Sequence, residues 1–72
     1  MKTKYFIGKA NDLGYTVQMN SVNQLFICTC WGNIIVASIN LHDGKLWVNG
    51  DDIAIIEHCL KYAKSVAKGE HK

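Results

Sequence analysis

The segment from Asp51 to Lys68 constrains the fold of this chain more than any other feature. At about 100° of rotation per residue, a helix here carries apolar side chains on one half of its surface and polar ones on the other. The apolar half holds Ile53, Ile55, Ile56, Cys59, Leu60, Tyr62, Ala63, Val66 and Ala67. Asp51 and Asp52 stand at its start, where acidic side chains favour the free N–H groups. We therefore predict a helix over residues 51–68 whose apolar half is buried against another element.

A second helix is predicted near the start of the chain. Phe6 and Ala10 recur at helical spacing, and Gly14 follows as a residue type that commonly ends helices. We predict this helix over residues 3–13. The polar residues 69–72 follow the C-terminal helix and are predicted to form a frayed tail.

The stretch between the two helices predicts four strands. Its first part alternates between apolar and polar side chains, and the rest is rich in β-branched and aromatic residues. The pairs Gly32-Asn33 and Asp43-Gly44 are typical of turns between neighbouring antiparallel strands. The predicted strands span residues 15–20, 24–31, 34–42 and 45–49. The predicted fold class is α+β, a single domain over residues 1–72 in which a four-stranded antiparallel meander lies between two helices, in the order α-β-β-β-β-α.

Two-residue turns at both pairs, with a two- or four-residue turn near 22–23 for the first strand, assign the strand residues to two sheet faces. The first face is almost wholly apolar and holds Tyr15, Val17, Met19, Phe26, Cys28, Cys30, Ile35, Ala37, Ile39, Leu41, Leu46 and Val48. We expect both helices to cover this face. The alternative is that the first helix crosses the sheet and covers the second face.

The second face is unusually apolar for a sheet face that no helix covers. Exposed apolar patches of this kind generally mark interaction sites, and tryptophan is enriched among the residues that dominate binding energy. The predicted interaction surface consists of Leu25, Ile27, Trp31, Ile34, Val36 and Trp47. We expect the chain to form a homodimer through this surface, because so small a domain gains stability from additional buried area.

The stretch CTCWGN raises the question of a metal or redox site, because Cys28 and Cys30 are close in sequence and Cys59 lies in the C-terminal helix. Two cysteines at positions i and i+2 of a strand have Cα atoms about 6.6 Å apart, near the upper limit for a disulfide. Structural zinc sites usually take paired cysteines from a bend, and these three cysteines leave the fourth position of a zinc site without a ligand. We expect core thiols and predict no metal and no cofactor.

All eight basic residues are lysines, against six acidic residues, which gives a net charge of +2. Because arginine is the usual reader of guanine, its absence argues against sequence-specific DNA recognition. Lys61, Lys64 and Lys68 form a stripe on the polar half of the C-terminal helix and are candidate phosphate contacts. Sequence-independent nucleic-acid binding is therefore the alternative function.

The sequence does not indicate an enzyme. His58 stands beside Glu57, but neighbouring residues on a helix point apart, and His58 falls toward the polar side, away from Cys59. The apolar runs are too short for a signal peptide or a membrane span. We expect a protein of a reducing cytoplasm that does not act at a membrane.

The order YFIGKANDLGYTVQM, a short strand meander and IIEHCLKYAKS resembles small proteins of no assigned function that phages and prophages of Gram-positive bacteria encode. The shared features are the step from Gly14 to Tyr15 after the first helix and the LKYA segment at residues 60–63. The chain departs from that pattern at its end, where SVAKGEHK stands in place of the usual Thr-Pro and arginine. The resemblance implies an accessory protein of the bacterial host cytoplasm that binds a host protein as an inhibitor or modulator.

Overall fold

The structure is a computed structural model that describes all 72 residues. It confirms the predicted α+β class and the order α-β-β-β-β-α. The strands form one antiparallel sheet in the order β1-β2-β3-β4. The elements are α1 (Thr3–Asp12), β1 (Tyr15–Met19), β2 (Gln24–Thr29), β3 (Ile35–Asn40), β4 (Leu46–Val48) and α2 (Ile53–Ala67).

Capping fixes the helix ends close to their predicted positions. The Asp52 carboxylate accepts a hydrogen bond from the Ala54 N–H at 3.1 Å, so Asp52 is the N-cap and α2 begins at Ile53. At the other end of the chain, α1 stops just before Gly14, whose φ of +94° lies in a region that favours glycine.

Both helices pack on the same face of the sheet, as expected. The helices and the sheet share one core, which joins their apolar residues into a single cluster. Its buried members are Phe6, Ala10, Leu25, Ile27, Ala37, Ile39, Ile55, Cys59, Tyr62, Ala63 and Val66. The opposite face of the sheet has no helix against it.

The connection between β2 and β3 differs from the predicted two-residue turn. The Thr29 N–H donates to the Ile34 carbonyl, and these two residues close a four-residue loop that contains the Gly32-Asn33 pair. A β-bulge then shifts the register by one residue between Ile27 and Cys28. A one-residue shift moves every following side chain to the other face of the sheet.

The shifted register corrects the predicted faces of β2. Leu25 and Ile27, predicted on the uncovered face, are buried beneath the helices, whereas Phe26 and Cys28 lie on the uncovered face. Val36 also fails to reach the uncovered face, because it packs against the core next to the bulge. The predicted interaction surface is therefore wrong at these three positions.

The β3–β4 connection is also longer than predicted, but it preserves the faces. The Asn40 N–H donates to the Lys45 carbonyl across a four-residue loop, and Ser38 rather than Asn40 pairs with Trp47. This register differs from the predicted one by two residues, and an even shift leaves each side chain on its predicted face. Trp47 therefore stays on the uncovered face.

The C-terminal tail is held against α1 instead of fraying as predicted for residues 69–72. The backbone N–H and the hydroxyl of Thr3 both donate to the His71 carbonyl, at 2.8 and 2.7 Å. Because the single hydroxyl hydrogen of Thr3 is used in this way, the Tyr62 hydroxyl is the donor in its 2.6 Å bond to the Thr3 oxygen. The tail thus closes over the core at Tyr62.

Candidate interaction surface

The sheet face opposite the helices, here called the open face, is the candidate functional site. Because side chains alternate along each strand, the pairing assigns one set of residues to this face. It consists of Thr16, Gln18, Gln24, Phe26, Cys28, Ile35, Ser38, Asn40 and Trp47. None of these residues is charged.

The apolar residues of the open face are accessible to a partner. Trp47 exposes 52% of its surface and Ile35 exposes 41%, while Phe26 is half-buried. They come from three different strands, so the apolar surface extends across the sheet from β2 to β4. The other members of the open face are mostly polar, as is normal for a solvated sheet face, so these three side chains form an apolar strip within it.

Two small residues of the open face are covered although no helix lies above them. Cys28 is 3% exposed and Ser38 is 7% exposed. Cys28 lies directly between Thr16 of β1 and Ile35 of β3, so neighbouring side chains on its own face flank it. Gln24 donates a 3.4 Å hydrogen bond to the Ser38 hydroxyl in the same way. The open face therefore has a closely packed centre from which Trp47 and Ile35 stand out.

A shallow cleft of about 410 Å³ runs beside Trp47. It lies at the margin of the open face where β3 and β4 meet. Its lining residues are Gln24, Ser38, Asn40, Lys45, Leu46 and Trp47. Lys45 is the one charged residue among them, so a partner that packs on the open face meets a positive charge only at this margin.

Only Trp47 of the six predicted surface residues lies on the open face. Trp31 and Ile34 are exposed, at 76% and 54%, but they belong to the β2–β3 loop at the end of the sheet. The Thr29 hydroxyl fixes this loop by donating to the Trp31 carbonyl and accepting from the Ile34 N–H. The structure thus separates the two tryptophans that the sequence placed on one face.

The predicted register puts Phe26 and Ile35 on the wrong face of the sheet. Both were placed on the face that the helices cover, and both lie on the open face. The face of Phe26 depends on the bulge opposite Ile27, where Val36 and Ala37 both pack toward the core. Predicting that bulge would have placed Phe26 on the open face. A bulge has no distinct residue pattern in this stretch of β-branched residues, whereas a glycine at its first position would have marked one.

The three candidate phosphate contacts, Lys61, Lys64 and Lys68, are all exposed on the outer side of α2. Their spacing places them along one line of the helix, as the sequence predicted. Leu60 interrupts this surface, since it is 44% exposed beside them. The lysines face away from the open face, so the two candidate surfaces lie on opposite sides of the molecule.

The three cysteines occupy three different environments. Cys59 is fully buried in the core, as predicted, and burial raises the pKa of its thiol to about 11. Cys28 is buried on the open face, and desolvation also raises the pKa of its thiol. Cys30 is exposed in the β2–β3 loop, so the prediction that it is a core thiol is wrong. No group of three or more His, Cys, Asp or Glu side chains converges in a way that could hold a metal ion.

His58 is buried, although the helical wheel placed it toward the polar side. Its ring stacks on Phe6 with centroids 4.7 Å apart, and its Nε2 lies 2.9 Å from the Phe6 carbonyl oxygen. Because a carbonyl only accepts, Nε2 carries the hydrogen in this bond. Glu57, the neighbour of His58 in sequence, is exposed. His58 therefore contributes to the packing between α1 and α2.

Comparisons with protein-family models, curated proteins and solved structures found no match to this chain. Neither helix has the length and apolar character needed to span a lipid bilayer.

Proposed function

We propose that this chain is a non-enzymatic protein-binding module that associates with a second copy through the open face. The observation that carries the proposal is the exposure of Trp47, at 52%, on an uncharged sheet face with no covering layer. Tryptophan is among the residue types that most often dominate the energy of an interface.

The absence of charge supports a second copy as the occupant. A two-fold symmetric interface brings the same surface of both copies together, so any charged residue near the axis meets its own kind. The open face avoids this repulsion along all four strands, with Lys45 only at its margin. Its polar members are amides and hydroxyls, which can donate to or accept from identical groups.

The wider role that we propose follows from the resemblance to phage and prophage proteins. On this proposal the chain is an accessory protein of the bacterial host cytoplasm, and a host protein that it inhibits or modulates is a further partner. An uncharged surface that carries an apolar strip among amides and hydroxyls supports binding by shape and burial rather than by charge.

A pair of lysine substitutions tests the proposal. Trp47→Lys introduces a charge on the β4 side of the open face, whereas Leu60→Lys introduces the same charge at an exposed apolar position on α2. Because the loss of an interface tryptophan typically costs 2 kcal/mol or more, we expect Trp47→Lys to raise the dissociation constant at least about thirtyfold. Leu60→Lys should leave the dissociation constant within about threefold of the parent value. Sedimentation velocity over a concentration series measures both.

Equal association of the two variants would refute the proposal. Circular dichroism at the same concentrations shows whether Trp47→Lys remains folded, and half-exposed Trp47 should tolerate the change. A parent chain that stays at the single-chain mass of 8.1 kDa up to millimolar concentration would equally contradict self-association.

Nucleic-acid binding is the second candidate, favoured by the exposed stripe of Lys61, Lys64 and Lys68 on α2. Its test is the binding of a labelled single-stranded oligonucleotide at increasing salt. Three phosphate contacts on a single strand predict a slope of about −2 in log K against log [salt], and replacement of all three lysines by glutamine should abolish it. No binding at low salt removes this candidate.

A further inference from the structure

The two edges of the sheet differ in how they are protected. Natural sheets usually guard an exposed edge with a very short strand, with charged residues, with proline or with a bulge. The β4 edge has two of these features, since it is three residues long and is flanked by Lys45 and by Asp51-Asp52. The β1 edge, Tyr15–Met19, is five residues long and has no charge, proline or bulge.

The register of β1 against β2 shows which of its backbone groups point outward. The Asn20 N–H donates to the Gln24 carbonyl, and the Cys30 N–H donates to the Gly14 carbonyl. In an antiparallel pair the bonded positions alternate, so even-numbered residues of β1 bond to β2. The N–H and C=O groups of the odd-numbered residues therefore point away from the sheet; these residues are Tyr15, Val17 and Met19.

These outward groups form a regular row of donors and acceptors. No loop, turn, cap or side-chain hydrogen bond in the structure uses them. Successive donor–acceptor sets are two residues apart, or about 6.7 Å along the strand. Such a row is complementary to any extended strand that runs antiparallel to it.

We propose that β1 is a strand-addition edge whose occupant is β1 of a second copy, with Val17 opposite Val17 and the two sheets joined into one of eight strands. A two-fold axis through this position places Tyr15 opposite Met19 of the second copy. All three outward residues then fall at bonded positions, which gives six new backbone hydrogen bonds.

The side chains of β1 fit this pairing with itself. On the covered side, Val17 and Met19 are apolar, and Met19 is 58% exposed at present. On the open face, Thr16 comes to lie opposite Gln18 of the second copy. The Thr16 hydroxyl is buried without a hydrogen-bond partner in the single chain. No charged residue of β1 opposes another.

The size of the open face also favours a second copy at this edge. Three strands of five or six residues and one of three give a flat face of at most about 19 by 18 Å, or about 340 Å². A standard interface buries about 800 Å² on each partner. Pairing through β1 doubles the open face and brings it near that size. This area argument rests on the proposed function, whereas the hydrogen-bond argument does not.

The pattern of amide hydrogen exchange tests the pairing directly. In the single chain, the N–H groups of Thr16 and Gln18 are protected by β2, and those of Tyr15, Val17 and Met19 are open to water. We expect protection of the three odd-numbered amides to rise at least about tenfold as protein concentration rises from micromolar to near-millimolar. Fast exchange of these amides at every concentration would overturn the proposal, whatever the mass of the protein.

A matched pair of variants separates this edge from the open face. Met19→Pro removes one outward N–H per copy, which is two of the six new bonds, and leaves the bonds to β2 intact. Met19→Ala shortens the same side chain but keeps the N–H. We expect the proline variant to weaken the pairing about tenfold more than the alanine variant. Equal effects would show that the backbone edge is not used.

Loss of the β1 pairing and loss of the open-face contact have different effects on association. Pairing through β1 has its axis perpendicular to the sheet, and packing through the open face has its axis in the plane of the sheet, so both together give a tetramer with D2 symmetry. Trp47→Lys should leave dimers in which the odd-numbered β1 amides remain protected. Met19→Pro should leave dimers in which Trp47 remains shielded. A Trp47→Lys variant that is monomeric, with unprotected β1 amides, would contradict the edge pairing but not the open-face proposal.

Discussion

Ile27 and Cys28 are neighbours on β2 and almost equally buried, at 0% and 3% exposure, but for different reasons. Ile27 lies beneath two helices in the central core, whereas Cys28 lies on the open face, outside the core cluster and with no helix above it. A side chain on the uncovered face becomes accessible when its neighbours change position. A side chain between the sheet and the helices becomes accessible only when these layers separate. The covered face therefore stabilises the protein, and the open face is free to be shaped by binding.

The largest expected difference between the two faces is in the response to loss of a phenylalanine. Phe6 is fully buried and stacks between His58 and Tyr62, at centroid distances of 4.7 and 4.2 Å. We expect Phe6→Ala to cost about 4 kcal/mol of unfolding free energy, a large share of the total for so small a domain. Phe26→Ala on the open face should cost about 1 kcal/mol, because Phe26 is only half-buried. Urea unfolding at low protein concentration measures both, and similar losses would break the comparison.

Next in size is the effect of one added methyl group where the β3–β4 loop meets α2. A Cβ on Gly44 would lie 2.5 Å from the Ala63 carbonyl oxygen and 2.9 Å from the Ala67 nitrogen, at a φ of +75°. We expect Gly44→Ala to cost about 3 kcal/mol through strain and overlap together. Gly69 has a similar φ of +73° with nothing within 4 Å of the added atom, so Gly69→Ala should cost only about 1 kcal/mol.

Thermal and urea unfolding of these two variants separate backbone strain from close packing. If Gly69→Ala were as destabilising as Gly44→Ala, the contact between the loop and α2 would not be as close as the structure shows.

The reaction rates of the Cys59 and Cys28 thiols compare burial in the core with burial on the open face. Cys59 should react with a thiol reagent only as fast as the protein unfolds globally, because it is fully buried and its pKa is raised to about 11. Cys28 should react through local motion of the open face, and exposed Cys30 should react fastest. Mass spectrometry of labelled peptides at increasing urea gives each rate, at protein concentrations low enough to prevent association. A Cys28 rate that follows urea as steeply as that of Cys59 would show that the open face is as rigid as the core.

The smallest expected effect is at a link between β1 and the start of α2. The Tyr15 hydroxyl donates to the Asp52 carboxylate at 2.6 Å, and this hydrogen bond is the main cause of a Tyr15 pKa raised to about 12. Because the pKa is higher in the folded chain than the ordinary value of 10.0, the link contributes its full stability below pH 10 and loses it as pH rises through about 12. Tyr15→Phe should cost about 0.5–1 kcal/mol near neutral pH, since the bond is exposed to solvent. The difference between parent and variant should vanish at strongly alkaline pH, and a constant difference would contradict the link.

The sequence predicted the order of elements because each depends on local signals. The apolar half of α2, the alternation in β1 and the turn residues before β3 and β4 all act within a few positions. The register was not predictable in the same way, since it depends on the length of two loops and on one bulge. The β3–β4 loop is longer than predicted, but the resulting shift of two residues leaves the side chains on their predicted faces. The bulge near Ile27, in contrast, exchanges Leu25 and Phe26 between the faces.

The sequence predicted the position of Trp47 but not most of the candidate site. An uncovered sheet face opposite both helices exists, and Trp47 is on it, but five of its nine residues are polar, and Phe26 and Ile35 replace the buried Leu25 and Ile27. The closure of the tail over Tyr62 likewise depends on long-range bonds between residues far apart in sequence. Such contacts leave no periodic pattern in the sequence.

The accessibility of Trp47 shows whether a second copy covers the open face. The chain has two tryptophans, so Trp31→Phe leaves Trp47 as the only indole. Acrylamide quenching of its fluorescence is then measured from dilute to concentrated protein, beside the mass of the same samples. The proposed interface predicts strong quenching in dilute monomer and at least about threefold weaker quenching once the protein associates. Quenching that stays strong while the mass rises would show that association leaves the open face uncovered, and would contradict the account.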